Sequence, residues 1–275
     1  MPELPEVEVS RRGLLPVISG QRIVGAISRV PKLRHAIPAN LGERLAGLRV
    51  DAILRRGKYI LLDCQSNAGG GWLIIHLGMS GSLGFVAPGT PPVRHDHFDL
   101  CFTDTVLRLH DPRRFGTVVW HHGSAVENHP LLTVLGVEPL SDTFTGDWLY
   151  HATRQRRTPI KPLLMDSHFI VGVGNIYAAE SLFRAGIAPT RAANRISRAR
   201  CERLVAEIRA TLGEAIAAGG SSVRNYVHSD GGSGHFQLSC TVYGRTGQPC
   251  VQCGTAIKAI RQGGRTTFYC PACQR

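Results

Sequence analysis

The chain has 275 residues, of which 43% are hydrophobic and 19% charged, and a formal net charge of +12. That length can hold one or two cores, and that balance excludes both a disordered chain and a membrane protein. No apolar run approaches the roughly 20 residues a bilayer-spanning helix needs. The opening Met1-Pro-Glu-Leu-Pro-Glu6 is acidic and proline-punctuated, unlike a signal peptide, so the expected compartment is the cytoplasm. The charge is unevenly spread: residues 1–149 hold 15 Lys/Arg against 14 Asp/Glu (net +1), and residues 150–275 hold the other 17 against 6 (net +11). A neutral half joined to a strongly basic half suggests a polyanion-binding module. Charge alone is equally met by a basic, highly soluble surface, or by RNA or anionic lipid contact.

In chain order, the segment from Glu3 to about Ser19 has helical spacing in Val7, Leu14, Leu15 and Ile18. Pro5 is tolerated in its first turn, and Glu6 and Glu8 sit near its start. From about Ile53 to His122 the pattern turns β-like. The short runs are Tyr59–Leu62, Trp72–Ile75, Phe98–Phe102, Val106–Leu109 and Thr117–Trp120, separated by Gly, Pro, Asn and Asp. They predict a strand-rich sandwich or barrel, with Gly69-Gly70-Gly71 as a hairpin loop. A Pro/Ser/Asp/Gly stretch from about Glu138 to Asp147 predicts a linker. Helices are then expected over Trp148–Arg156, Asn175–Ala185 and Ser197–Ala218. The last has Ser197 as cap and Leu204, Ile208, Leu212 and Ile216 on one face. A tight turn is expected at Gly172-Val-Gly174, and a glycine-rich β-hairpin over the final 36 or so residues.

Four of the eight cysteines are scattered: Cys64, Cys101, Cys201 and Cys240. The other four form Cys250-x-x-Cys253, sixteen residues, then Cys270-x-x-Cys273. Disulfides are not the rule in a cytosolic chain, and two CxxC pairs at this separation fit a tetrahedral zinc site better than two redox pairs. Four thiolates leave no open position for water, so such an ion would be structural.

Removing Met1 would expose the secondary amine of Pro2. An α-amine titrates near 7.7–8.0 against about 10.4 for lysine, so far more of it is free base at neutral pH. A secondary amine condensing with an aldehyde carbon gives an iminium that is cationic at any pH, an electron sink that labilises the neighbouring C–H. Glu3, the next residue, is placed to carry protons. By itself the same string also reads as an ordinary proline-rich helix start.

Met1-Pro-Glu-Leu-Pro-Glu-Val-Glu8 and the terminal four-cysteine finger together closely resemble the formamidopyrimidine-DNA glycosylase family. So do Arg56-Gly-Lys58-Tyr59, His76-Leu-Gly-Met79-Ser-Gly, Asp111-Pro-Arg-Arg-Phe115-Gly and Gly172-Val-Gly-Asn175-Ile-Tyr. The match runs in order from residue 2 to Arg275. Leu4 favours this purine-directed family over its sister, endonuclease VIII, which opens Pro-Glu-Gly-Pro-Glu and prefers oxidised pyrimidines.

The resemblance implies an α+β fold: an N-terminal β-sandwich-like domain with flanking helices, a helix–two-turns–helix domain, and a zinc-bound β-hairpin. The expected bounds are 1–137, a linker over 138–149, the helical domain over 150–228, a lesion-capping loop over 229–240 and the finger over 241–275. It implies a bifunctional glycosylase and abasic-site lyase acting as a monomer, in the cytoplasm with the nucleoid of a bacterial-type cell, on duplex DNA carrying 8-oxoguanine, formamidopyrimidines or an abasic site. In that family Pro2 attacks C1′, Glu3 is the acid/base, Lys58 assists β-elimination and Arg265 δ-elimination. Met79, Arg113 and Phe115 match the residues that fill the gap left by the flipped nucleotide, and a thioether, a planar cation and an aromatic wedge suit that task. His95, Arg113, Arg156 and Asn175 match DNA-contacting positions, and Cys250, Cys253, Cys270 and Cys273 match the ligands of one structural zinc. His235, where relatives often carry tyrosine, and the stretch 237–240 depart from the family pattern and bear on lesion preference. Two other readings remain: a zinc-ribbon DNA-binding protein without catalysis, and the pyrimidine-directed sister activity.

Overall fold

A computed structural model describes residues 2–221, 236 and 240–275, so the lesion-loop expectations over 229–235, His235 included, and over 237–239 lie outside the described residues. The chain divides into two compact units, residues 1–133 with 218–235, and residues 134–217 with 236–275.

The first unit opens with helix α1 (Leu4–Ile18), which buries Leu4 together with Val7, Leu14 and Ile18 of the expected spacing, while Leu15 is only half-buried at the edge of the core. It then builds two antiparallel sheets. One contains β1 (Gly25–Ser28), β6 (Asp96–Cys101), β7 (Val106–His110) and β5 (Ser82–Val86), in that order. The other contains β2 (Arg49–Arg56), β3 (Tyr59–Ser66), β4 (Gly69–His76) and β8 (Thr117–His122). Alternate residues of β3 and β4 (Ile60, Leu62, Cys64; Leu73, Ile75) join Phe98, Leu100, Leu107 and Leu109 of the other sheet in one core, sealed by Val7, Leu14 and Ile18. Period-two burial from two sheets around one core is a sandwich. Short helices α2 (Leu41–Leu45) and α3 (Pro130–Thr133) and a 3-10 turn at Val126–Asn128 also belong to this unit.

The glycine triplet differs from expectation. Gly69-Gly70-Gly71 begins strand β4, and a side chain at Gly71 would meet the His121 carbonyl at 2.2 Å. The triplet lets strands and the Trp120 ring approach; it is not the loop itself.

The second unit is helical. It has α4 (Gly146–Thr153), α5 (Ile160–Leu164), α6 (Asn175–Arg184) and α7 (Arg198–Ala217). Thr145 caps α4 by accepting the Trp148 N–H at 3.0 Å, and Ser197 caps α7 by accepting the Arg200 N–H at 3.4 Å. On α7 the buried stripe is Leu204, Ile208, Leu212 and Ala215, and Ile216 is only half-buried. Each four-residue step advances about 40° around the helix, so a three-residue step is needed to return to the core face. The end of the chain is the expected hairpin, β9 (Lys258–Gln262) with β10 (Arg265–Tyr269), antiparallel, turning at Gly263-Gly264. Ala179 and Phe183 of α6 pack with Val242, Ile257, Cys250 and Cys270, which seats the finger on that helix. The Glu180 carboxylate, also on α6, accepts the backbone N–H groups of Thr241, Val242 and Tyr243 at 2.8–3.0 Å.

Candidate functional site

In the first unit Pro2 is buried immediately ahead of α1, and Glu3, 3% exposed, is that helix's N-cap. Glu3 and Glu6 form a reciprocal capping box, in which the Glu3 N–H donates to Glu6 Oε2 at 2.7 Å. Glu6 is itself buried, and its Oε1 accepts the Ser221 N–H at 2.8 Å and the Ser221 hydroxyl at 3.0 Å. The backbone carrying Pro2 and Glu3 is therefore fixed from two sides.

Lys58 is the second residue of the two-residue turn joining β2 to β3, with Arg56 opposite Tyr59. Gly57 takes φ +57° at the first position, as a type II′ turn requires. A chain of contacts holds this turn to α1: Arg55 Nε donates to Glu8 Oε2 at 3.2 Å, and Arg55 Nη1 to the Gly57 carbonyl at 3.0 Å. Glu8 also takes Arg11 at 2.8 Å and Arg12 at 2.9 Å. Burial would raise the Glu8 carboxyl, but the hydrogen bonds and charges of these arginines outweigh it and hold its pKa down to about 2. His76, at the end of β4, is pushed down to about 4 by burial and by the positive charges of Lys58 and Arg34. It is thus neutral at pH 7, with Nδ1 accepting the Gly78 N–H at 2.9 Å.

Met79 is half-buried in a turn closed by the Gly81 N–H to the Leu77 carbonyl at 2.8 Å. Phe115 is 43% exposed, and the Arg113 guanidinium lies 4.8 Å over its ring. Neither Met79 nor Phe115 is a core side chain, which removes the plain packing explanation of both. His95 holds φ +78°, a conformation that costs a β-carbon residue energy and that clusters at working sites. Its ring stands edge-on near His97 and His110.

In the second unit Asn175 opens α6, and its Nδ2 donates to the Thr266 carbonyl of the finger at 3.0 Å. Arg265 is exposed at the first position of β10, lining a recess of about 300 Å³ with Lys161, Met165 and Gln262. Lys161 was not anticipated from the sequence. It is 1% exposed, and its Nζ donates to Asn175 Oδ1 at 2.5 Å and Thr267 Oγ1 at 2.8 Å. A buried ammonium that ties the α6 N-terminus to the finger is a costly feature. The only cue in the sequence is a lysine inside Ile160-Lys-Pro-Leu-Leu164. The basic cluster after α4 separates into two kinds of residue. Arg154 is spent on structure, donating to the carbonyls of Tyr150, Asn194 and Ile196 at 2.7–2.8 Å. Arg156 stays exposed, stacked 4.9 Å over the Phe169 ring.

The four finger thiols lie within 4.8 Å of one another, with Cys250–Cys273 Sγ atoms 3.9 Å apart and Cys253–Cys270 3.5 Å. A tetrahedron of ~2.3 Å Zn–S bonds has edges of about 3.8 Å. Backbone N–H groups of Gln252 and Cys273 point at Cys250 and Cys270 sulfurs, as zinc knuckles need. The donor set fits one structural zinc ion.

Three family models match the chain: the formamidopyrimidine-DNA glycosylase N-terminal domain over residues 1–118, the H2TH domain of that glycosylase over 135–227, and the zinc finger found in FPG and IleRS over 247–275. Among curated relatives, the formamidopyrimidine-DNA glycosylase of Dechloromonas aromatica is 60% identical, and that of Thioalkalivibrio sulfidiphilus 54%, each covering 100% of both chains. Among solved structures, a Lactococcus lactis FPG mutant bound to Fapy-dG-containing DNA superimposes with a TM-score of 0.91 at 34% identity, covering 100% of both chains. The Thermus thermophilus FPG protein gives 0.88 at 37%, covering 99% of this chain and 98% of that one. With identities this high over its full length, the chain belongs to the formamidopyrimidine-DNA glycosylase family.

Proposed function

We propose that this chain excises oxidised purines from duplex DNA through a covalent intermediate on Pro2 and then nicks the strand by β,δ-elimination. The coarser activity, a DNA glycosylase of oxidised-base repair, follows from the family. The observation that carries the finer one is the pairing of Pro2 with Glu3 at a braced helix start, both buried and one residue apart. Once Met1 is removed, the Pro2 nitrogen attacks C1′, the bond from C1′ to the base breaks, and the base leaves with a proton. Opening of the sugar ring sends the C1′–O4′ electron pair to O4′, which takes a proton from Glu3, and leaves an iminium between C1′ and Pro2. Loss of a C2′ proton then expels the 3′ phosphate, a step assigned to Lys58. A second elimination, with Arg265 beside the phosphate, expels the 5′ one.

Met79, Arg113 and Phe115 fill the space of the extruded nucleotide, and His95, Arg156 and Asn175 contact the DNA backbone. The first α6 turn offers N–H groups for phosphate after Gly174. The chain acts as a monomer on intracellular DNA, through a β-rich domain over 1–137, a linker over 138–149, a helical DNA-binding domain over 150–228, a lesion-capping loop over 229–240 and a zinc finger over 241–275. Among the described residues no helix is long and apolar enough to cross a membrane.

Released bases from duplexes holding 8-oxoguanine, formamidopyrimidine or thymine glycol, quantified by mass spectrometry, test the proposal. Purine lesions should be released at least tenfold faster than thymine glycol. The reverse order would point to the pyrimidine-directed activity, and tight binding with no base released would point to a binder.

A further inference from the structure

Asp111 begins the Asp-Pro-Arg-Arg-Phe-Gly loop, yet it is completely buried, and its polar atoms reach three separate stretches of chain. Oδ1 accepts the Ser80 hydroxyl at 2.9 Å and the Arg113 N–H at 3.3 Å. Oδ2 accepts the Gly116 N–H at 2.7 Å. The Asp111 N–H donates to the His95 carbonyl at 2.9 Å, and its own carbonyl takes the Arg114 N–H at 3.2 Å and faces His97 Nε2 at 3.0 Å. Ser80 follows Met79, and Gly116 follows Phe115. One carboxylate thus lies between the two loops that carry Met79 and the Arg113–Phe115 pair.

The loops are also in backbone contact there. Gly78 adopts φ +63°, and a β-carbon on it would sit 2.4 Å from the Phe115 carbonyl carbon and 2.6 Å from the Gly116 nitrogen. A β-carbon on Gly116 would meet Asp111 Oδ2 at 3.0 Å. Arg114, with φ +54°, bends the chain between the two wedge residues. A loop held against its neighbour by backbone contact and shared donors has few other conformations to visit, so little ordering cost remains when it enters the duplex.

We infer that Asp111 is a positioning residue that, through Ser80, joins the Met79 turn to the Arg113–Phe115 loop, so that the three side chains enter the gap in the duplex as one preassembled wedge. The inference rests on the proposed gap-filling role of those three residues. It implies that Met79 is useful only while the Ser80–Asp111 bond holds its turn in place.

A double-mutant cycle tests it, with Met79→Ala, Ser80→Ala and the pair, in the full-length protein. The readout is single-turnover excision of 8-oxoguanine from duplex, beside cleavage of a single-stranded abasic oligonucleotide, which has no gap to fill. Ser80→Ala should slow duplex excision about fivefold or more in the wild-type background and less than about twofold when Met79 is already Ala. Single-strand cleavage should stay within about twofold in Ser80→Ala, which a general loss of structure would not allow. Ser80→Thr keeps the hydroxyl and should restore most of the duplex rate. Losses that multiply in the double variant, an unchanged rate in Ser80→Ala, or parallel loss on both substrates would overturn the inference. If Met79→Ala itself leaves duplex excision unchanged, the gap-filling role fails instead, and the brace has nothing to act through.

Discussion

Glu8 offers a quantitative test of how α1 holds the Lys58 turn. Its side chain is 10% exposed and faces Arg11, Arg12 and Arg55, the last of which also grips the Gly57 carbonyl. A carboxyl lowered from 4.5 to about 2 contributes about 3 kcal/mol of stability at pH 7, at about 1.4 kcal/mol per pKa unit. Because the folded value lies below the unfolded one, that stability is complete above about pH 4.5 and is lost as the pH falls through 2; roughly half remains at pH 3. Glu8→Gln keeps the shape, removes the charge and leaves three guanidinium groups facing an amide. Urea unfolding monitored by tryptophan fluorescence should show the variant less stable by about 3 kcal/mol at pH 7 and by about 1.5 kcal/mol at pH 3. Abasic-strand cleavage should fall with it, since the Arg55 link to the Lys58 turn loosens. A gap equal at both pH values, or below about 1 kcal/mol at pH 7, would refute the assignment of this network to the Glu8 charge.

Zinc analysis should return one ion per chain, and chelation or Cys253→Ser should weaken duplex binding at least tenfold while leaving the unfolding transition of the first unit in place; loss of chemistry with intact binding would contradict a structural ion. Lys161→Met removes the donor shared by Asn175 and Thr267. It should cost about 1–3 kcal/mol of stability and weaken duplex binding, measured by denaturation and fluorescence anisotropy; a variant unchanged in both would make the buried ammonium dispensable.

The sequence made the strongest elements legible because their signals are local. The β3, β4, β6, β7 and β8 strands are apolar runs, and α1, α6 and α7 carry helical spacing. The strands β1, β2 and β5 went unseen. β1 has four residues, none fully buried, while β2 places Val50 and Ile53 among Arg49, Asp51, Arg55 and Arg56, and a bulge breaks its alternation. The zinc ligands were readable from spacing alone. Pro2, Glu3 and the wedge residues drew their roles from motif resemblance, and their surroundings from the fold. What stayed hidden depends on contacts far apart in sequence. Ser80 and Asp111 are 31 residues apart, Glu6 and Ser221 are 215, and Lys161 and Thr267 are 106. No periodicity announces a carboxylate or ammonium that works through a distant turn.

In the proposed reaction the Pro2 amine forms the covalent bond to C1′. Borohydride trapping on an 8-oxoguanine duplex, followed by peptide mass analysis of the adduct, tests it most directly. The trapped species should lack Met1 and carry the sugar remnant on Pro2, and none should form when Met1 is retained. A remnant on Lys58 or another lysine, or base excision with no trapped adduct, would contradict it.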